Sequence, residues 1–284
     1  MVEAIRALAL ALCLLACTPR GTDDSLDAAP LANFKIAGST AVLPFATQAA
    51  NAFMKTHPDV SIQVDPGGSH TGLAKLAAGN VAIGASDVFA GGDLAGKLED
   101  HRIGVVGFAA MANRGPFNES IHSLTKQELW RIFAGQVRDW SELGGESQAI
   151  TMINRPKTSG TRAAFASIVL VGDQFVSGAI EQESSAQLQT TLLETRGAIS
   201  YLAIPYRHPD LAVFELDGVP ASPENISTGV YPIWSYEHMY TLGPATDKVR
   251  AFIDFALSAP MQSDTLVRAG FIPIGSMKVS REHD

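Results

Sequence analysis

The stretch from Phe34 to Asp87 alternates short apolar runs with helical patterns, and this alternation constrains the fold more than any other feature of the chain. Phe34-Lys35-Ile36-Ala37 predicts a strand, closed by Gly38-Ser39-Thr40. Ala41 to His57 predicts a helix. Pro44 falls in its first turn, where a missing N–H costs nothing, and Phe45, Ala49, Ala52 and Phe53 follow a helical period. Val60 to Val64 alternates as a strand, and Pro66-Gly67-Gly68-Ser69 turns the chain. Gly72 to Ala78 predicts a second helix, closed by Gly79. Val81 to Ala85 predicts a third strand, ending at Ser86-Asp87. Strands separated in this way by helices imply a parallel sheet with ligands at the strands' carboxyl ends.

The remainder predicts a second unit and a return. Ile103 to Ala112 is a long apolar strand, broken by Asn113-Arg114-Gly115-Pro116. Ser123 predicts the cap of a helix from Leu124 to Phe133. Ile150 to Ile153 predicts a strand, Glu181 to Glu194 a loop followed by a helix, and Gly197 to Tyr201 another strand. Residues 226–231 lead the chain back, and helices over 246–258 and 261–269 close the first unit. The expected division is therefore residues 33–112 with 232–284 as one lobe and 113–231 as the other. The length of 284 residues fits two domains.

The N-terminus predicts a targeting segment. Arg6 supplies a short basic region, and Ala7 to Ala16 is apolar but too short to span a membrane. Leu14-Leu15-Ala16-Cys17 resembles the lipobox of bacterial lipoproteins, which implies cleavage before Cys17 and lipid on its thiol. The other reading is a plain secretory signal with Cys17 incidental. Residues 1–17 are then the signal, and 18–32, polar and rich in Pro, Gly and Asp, a flexible tether. With Cys13 removed, Cys17 has no disulfide partner, because the chain holds 2 cysteines. The net charge of −8 excludes the broad basic field that nucleic acid wants.

Met152 to Arg162 is the stretch with the clearest chemistry. Ser159 falls where a helix starts, so its hydroxyl, nearby backbone N–H groups and the helix dipole converge on one point. Arg155 is close enough to add charge there. These are the parts of a small-anion site. They are also the parts of an ordinary capped helix beside a surface Arg. Asp87 alone fits a helix N-cap, and Ser39 and Ser69 alone fit turn chemistry.

Together these segments resemble the substrate-binding proteins of phosphate ABC transporters. The resemblance is carried by Gly38-Ser39-Thr40, Gly67-Gly68-Ser69-His70-Thr71-Gly72, Ile83-Gly84-Ala85-Ser86-Asp87, Arg155 with Ser159-Gly160-Thr161-Arg162, Ile132 to Gly135 with Asp139-Trp140, and Ala269 to Pro273. It implies an α/β fold of two Rossmann-like lobes joined by a hinge, the type II periplasmic binding protein fold. It implies that Ser39, Thr40, Ser69, Asp87, Arg155, Ser159, Gly160 and Thr161 bind inorganic phosphate, with no cofactor, metal or catalytic residue. It implies a permease as partner, a monomer, and a place in the periplasm or at the cell surface, held by Cys17. Asp87, which can only accept, would favour an oxyanion that keeps a proton over sulfate. The family's acidic residue two positions after the Arg, and its Gly before the Ser, are here Lys157 and Thr158. Either the site is more positive and Arg155 less fixed, or Lys157 simply faces solvent.

The alternatives are a sensor or scaffold lipoprotein that keeps the fold without the transport role, a different oxyanion, and an enzyme. Enzyme signatures are missing from the sequence: it has no H-E-x-x-H, no P-loop and no C-x-x-C. Ser69 beside His70 is the one nucleophile–base idea available. The lipobox reading predicts that Cys17→Ser releases the protein from membranes on fractionation; continued membrane association contradicts it.

Overall fold

The computed structural model describes residues 32–170 and 175–282. The predicted signal segment, Cys17 and tether residues 18–31 lie outside the described residues. The element order is β1 (Ala32–Gly38), α1 (Leu43–Thr56), β2 (Val60–Pro66), α2 (Ser69–Ala77), β3 (Ile83–Ser86), β4 (Leu98–Asn113), β5 (Ser123–Leu124), α3 (Lys126–Phe133), β6 (Thr151–Asn154), α4 (Gly160–Val169), β7 (Ile180–Glu181), α5 (Ser185–Glu194), β8 (Ala198–Ala203), β9 (Leu211–Val213), β10 (Glu215–Leu216), α6 (Pro223–Ser227), β11 (Trp234–Leu242) and α7 (Asp247–Ala256).

The expected β-α-β-α-β start is present. β1 pairs in parallel with β2 on one side and with β3 on the other. The sheet then runs β2-β1-β3-β11-β4-β8-β6-β7, with β9 also on β4. β4 is the element the two halves share. Its first part pairs with β11 up to Gly107, and its second part pairs with β8 from Phe108 onward. Beyond it β6 runs parallel to β8, so β6, like β1 and β3, delivers its carboxyl end to a helix start or turn.

Three local readings need correction. Ser123 does not cap a helix. It belongs to the short strand β5, paired with β10, and its hydroxyl accepts from Gly218 N–H at 2.8 Å. Thr125 caps α3 through a capping box, accepting from Glu128 N–H while the Glu128 carboxylate accepts from Thr125 N–H. The helix after Gly68 starts at Ser69, earlier than the apolar period suggested, because Gly68 takes φ 77° and turns the chain directly into it. β11 was not legible at all. It is buried along almost its whole length, so it has no solvent face to alternate, and Glu237 and His238 interrupt its apolar run. The segment after Pro260 is a π-helical turn over Met261–Leu266, where a regular helix was expected.

Packing fixes the strand ends that matter. Phe133, Phe165 and Tyr201 form a ring cluster, with Phe165 stacked on Tyr201 at 4.5 Å and Phe133 edge-on to Phe165 at 4.9 Å. The Tyr201 hydroxyl donates to Asn154 Oδ1 at 2.5 Å, and the same oxygen accepts from Arg155 N–H at 2.8 Å. The core thereby sets the backbone at Arg155. On the other side α2 lies hard against β1. A Cβ placed on Gly72 would meet Ala37 O and Gly38 Cα at 2.5 Å. Gly72→Ala is therefore expected to cost about 1–3 kcal/mol through overpacking, read as a lower urea midpoint at unchanged m; an unchanged midpoint contradicts this packing.

Candidate functional site

Five strand or helix ends come together in one buried cluster. Ser39 and Thr40 follow β1, Asp87 follows β3, Ser69 opens α2, and Arg155 follows β6 with Ser159, Gly160 and Thr161 at the start of α4. All eight are buried, as expected of a common site. The loops after β1 and β2 are joined by Gly68 N–H donating to Gly38 O at 2.9 Å.

Asp87 is the common acceptor. Ser39 Oγ donates to Asp87 Oδ1, and Thr161 Oγ1 donates to Oδ2 at 2.8 Å from across the sheet. Ser69 Oγ accepts from Asp87 N–H at 2.9 Å, which places the carboxylate. No helix starts at Asp87, so the N-cap reading falls away. Ser39 is not the cap of α1 either. That position is Val42, and Ser39 Oγ accepts from Ala41 N–H at 3.0 Å. Ser159 does cap α4, accepting from Arg162 N–H at 3.2 Å.

Arg155 is 1% exposed. Its Nη2 donates to Thr40 Oγ1 at 3.2 Å and to Glu183 O at 3.0 Å, and its Nη1 donates to Ser185 Oγ at 3.3 Å. Its backbone carbonyl accepts from Arg162 Nη1 at 2.8 Å. This answers the question raised at Lys157. The Arg is held by Glu183 O, Ser185 and Thr40, with no need of an acid two residues on, and the Lys157 side chain is exposed. Thr158 contributes backbone: its carbonyl accepts from His70 N–H at 3.1 Å, a bond joining the α2 and α4 starts. Gly160 is required there, since a Cβ would lie 2.1 Å from Ser69 Oγ.

Three participants escaped the sequence reading. Ser185, first residue of α5, donates its N–H to Thr40 Oγ1 at 3.2 Å. Tyr206 donates its hydroxyl to Thr40 O at 2.6 Å. Glu183 accepts from Arg155 through its backbone carbonyl, and its charge favours the guanidinium as well. The signal available for Ser185 was its place after Ser184, which caps α5.

The electrostatics match an anion site. Burial pushes the Arg155 guanidinium down from its ordinary value, and the charge of Asp87 opposes that shift. Burial likewise pushes the Tyr206 phenol up, keeping it a neutral donor. Arg155 Nε–H is buried and has no hydrogen-bond partner among the described residues. A buried donor of a cationic group left unpaired is costly, so the cluster is built for an acceptor from outside the chain. Asp87 beside it can only accept, so the fitting guest carries both negative oxygens and a proton. The Ser69–His70 pair does not form a dyad: Ser69 Oγ is turned to Asp87 N–H, and His70 is exposed. Among the described residues no cluster of His, Cys, Asp and Glu suits a metal ion.

A mixed sheet whose two parts share β4 places a buried polar cluster beyond the ends of β1, β3 and β6, and known proteins share this fold. The PBP superfamily domain model matches residues 24–260. The phosphate-binding protein PstS of Bacillus subtilis is 42% identical over 251 residues, covering 87% of this chain and 82% of that protein. An X-ray structure of a candidate phosphate ABC transporter substrate-binding protein from Clostridium perfringens, with bound phosphate, superposes with a TM-score of 0.80 at 28% identity, covering 85% of this chain and 99% of that one. A periplasmic phosphate-binding protein, PfluDING, solved with phosphate, shares the fold at a TM-score of 0.68 and 17% identity, over 85% of this chain and 90% of its own. The chain belongs to the phosphate-binding protein family of the PBP superfamily.

Proposed function

We propose that the protein captures inorganic phosphate and delivers it to the permease of an ABC transporter. In this reading residues 33–112 with 232–284 and residues 113–231 are two lobes that close over the anion. Ser39, Thr40, Ser69 and Asp87 face it from the first, and Arg155, Ser159, Gly160 and Thr161 from the second. The observation that carries the reading is the buried, unpaired Arg155 Nε–H in the same cluster as the acceptor Asp87.

The roles follow from chemistry. Arg155 supplies charge-assisted hydrogen bonds, and its planar fork suits two oxygens of one anion. The free N–H groups at the start of α4 and the dipole of that helix favour negative charge at the same place. Thr40, Ser185 and the Glu183 carbonyl take three of the four Nη N–H donors, which holds the guanidinium and leaves Nε–H and one Nη1–H for the ligand. Asp87 accepts the proton that phosphate retains near neutral pH. Sulfate has none to offer and would face a buried carboxylate directly; mismatches of this kind discriminate by roughly 10⁴. With an overall charge of −8, capture rests on these local donors rather than on long-range attraction.

The protein acts as a binding protein without turnover, as a monomer, outside the cytoplasm and tethered by lipid on Cys17. Among the described residues no helix is long and apolar enough to cross a membrane.

Calorimetric titration of the purified mature protein is expected to show one phosphate bound per chain, undisturbed by a large excess of sulfate. Absence of heat, together with no phosphate released on denaturation, contradicts the reading. In Asp87→Asn the preference for phosphate over sulfate is expected to fall by at least about tenfold, because an amide offers the oxyanion a donor; an unchanged ratio removes Asp87 from the selectivity.

A further inference from the structure

Glu237 stands directly behind this site and is used by nothing described so far. It is 0% exposed, in the middle of β11. The rings of Tyr236, His238 and Tyr240 follow one another along one face of that strand, so Glu237 projects from the other. β11 runs antiparallel to β3 with His238 opposite Ser86, which brings Glu237 level with Asp87. On the β4 side it is paired with Gly104, which has no side chain to offer. No N–H or hydroxyl among the described residues donates to either Glu237 oxygen; the group it meets is the Asp87 carboxylate, itself an acceptor.

An ionised carboxylate in that position would be buried without a cation and pressed against a second carboxylate. Desolvation penalises the charge, and Asp87 penalises it again. The groups around Glu237 give no relief. Asp87 approaches from the end of β3, and Tyr206 from the turn after β8, itself a phenol held neutral. Arg155 acts on Asp87 and Tyr206. On β4, Asp100 and Arg102 lie on the His238 side, where Asp100 Oδ1 meets His238 Nδ1 at 2.7 Å and Arg102 stacks on Tyr236. Burial first, and then the charge and hydrogen bonding of Asp87, hold the Glu237 carboxyl well above the ordinary carboxylate range.

We propose that Glu237 is a specificity-determining residue of the phosphate site, a neutral acid that donates its proton to Asp87 from behind. The inference rests on the phosphate reading above and adds to it. A carboxylate has about four lone-pair positions. Ser39 occupies one on Oδ1 and Thr161 one on Oδ2. A Glu237 proton occupies a third and leaves one position for a single P–OH of the ligand. The Asp87–Glu237 pair then carries one negative charge and one shared proton. Loss of that proton would put a second negative charge beside a bound dianion and free an acceptor that nothing fills.

The sign of the pH dependence follows. Phosphate prefers the protonated pair, so affinity falls as pH rises through the titration of Glu237. Glutamine keeps the size and a donor but cannot ionise. Phosphate affinity measured by calorimetry in wild type and Glu237→Gln from about pH 6 to about pH 9 cancels the ligand's own titration. The ratio of wild-type to variant Kd is expected to rise at least about tenfold across that range, one pK unit of coupling. A constant ratio with the Glu237 carboxyl ionised at neutral pH by carbon-13 NMR overturns this role and leaves phosphate binding standing; a constant ratio with that carboxyl protonated throughout supports it. No phosphate binding by either protein overturns the phosphate reading, and this role with it. Should Glu237→Gln fail to fold, carbon-13 NMR of the wild-type glutamate carboxyls decides: one still protonated at neutral pH supports the proposal, and full ionisation overturns it.

Discussion

A carboxylate buried at the end of a strand must be given donors, and the way Asp87 receives them organises the rest of the site. Ser39 donates from the neighbouring strand end, and Thr161 donates from a helix on the far side of the sheet. Ser39 and Thr161 are far apart in the chain, so Asp87 is satisfied only when the β1 and α4 segments are brought together. The same contacts leave Arg155 close enough to act on Asp87, with its Nε–H unpartnered among the described residues. A salt bridge would have closed the account internally. The chain instead directs the guanidinium to Thr40, Ser185 and the Glu183 carbonyl, which position it without neutralising it. The place left between charge and acceptor suits an oxyanion with a proton.

β4 and β11 make this arrangement possible. They are adjacent, antiparallel and almost wholly buried, and β4 changes partner from β11 to β8 between Gly107 and Phe108. The strand ends that carry Ser39 and Asp87 are fixed through β11 to β4, and the end that carries Arg155 is fixed through β8 to the same strand. β11 also brings Glu237 behind Asp87. β4 therefore links the two parts of the sheet, and its neighbour β11 supplies the acid proposed to set the protonation of the acceptor. The bonds that join the residues after β1, β2 and β3 to those after β6 and β8 are polar: Thr161 to Asp87, Arg155, Ser185 and Tyr206 to Thr40, and His70 N–H to Thr158 O. Contacts of that kind can be broken and remade, unlike the ring cluster of Phe133, Phe165 and Tyr201 that holds β6 and α4 together.

Much of this was legible in the sequence because it is written locally. The β-α-β-α-β start shows in its periodicity, and Ser159 shows as a cap because cap chemistry needs only a few consecutive residues. The candidate site residues follow strand ends or open helices, and the fold brings Ser39, Ser69 and Thr161 onto Asp87 and Arg155 onto Thr40. What escaped was written in long-range contact. Tyr206 meets Thr40 across most of the chain, with nothing nearby to mark it. Ser123 resembled a cap until β10 paired with its strand. β11 hid because a strand buried on both faces has no polar alternation, and Glu237 within it reads as surface until its burial is seen. Lys157 pointed the other way, toward doubt about Arg155. The Arg finds its support in residues distant in sequence, which no local pattern could reveal.

The account's central claim is that Asp87 and Arg155 face one oxyanion from opposite halves of the molecule. A crystal structure of the mature protein grown with phosphate tests it most directly. The predicted result is one phosphate enclosed in the cleft, an oxygen within hydrogen-bond distance of the Asp87 carboxylate and another within reach of Arg155 Nε and the N–H groups at the start of α4. A phosphate bound elsewhere, or one in the cleft that touches neither Asp87 nor Arg155, would contradict it.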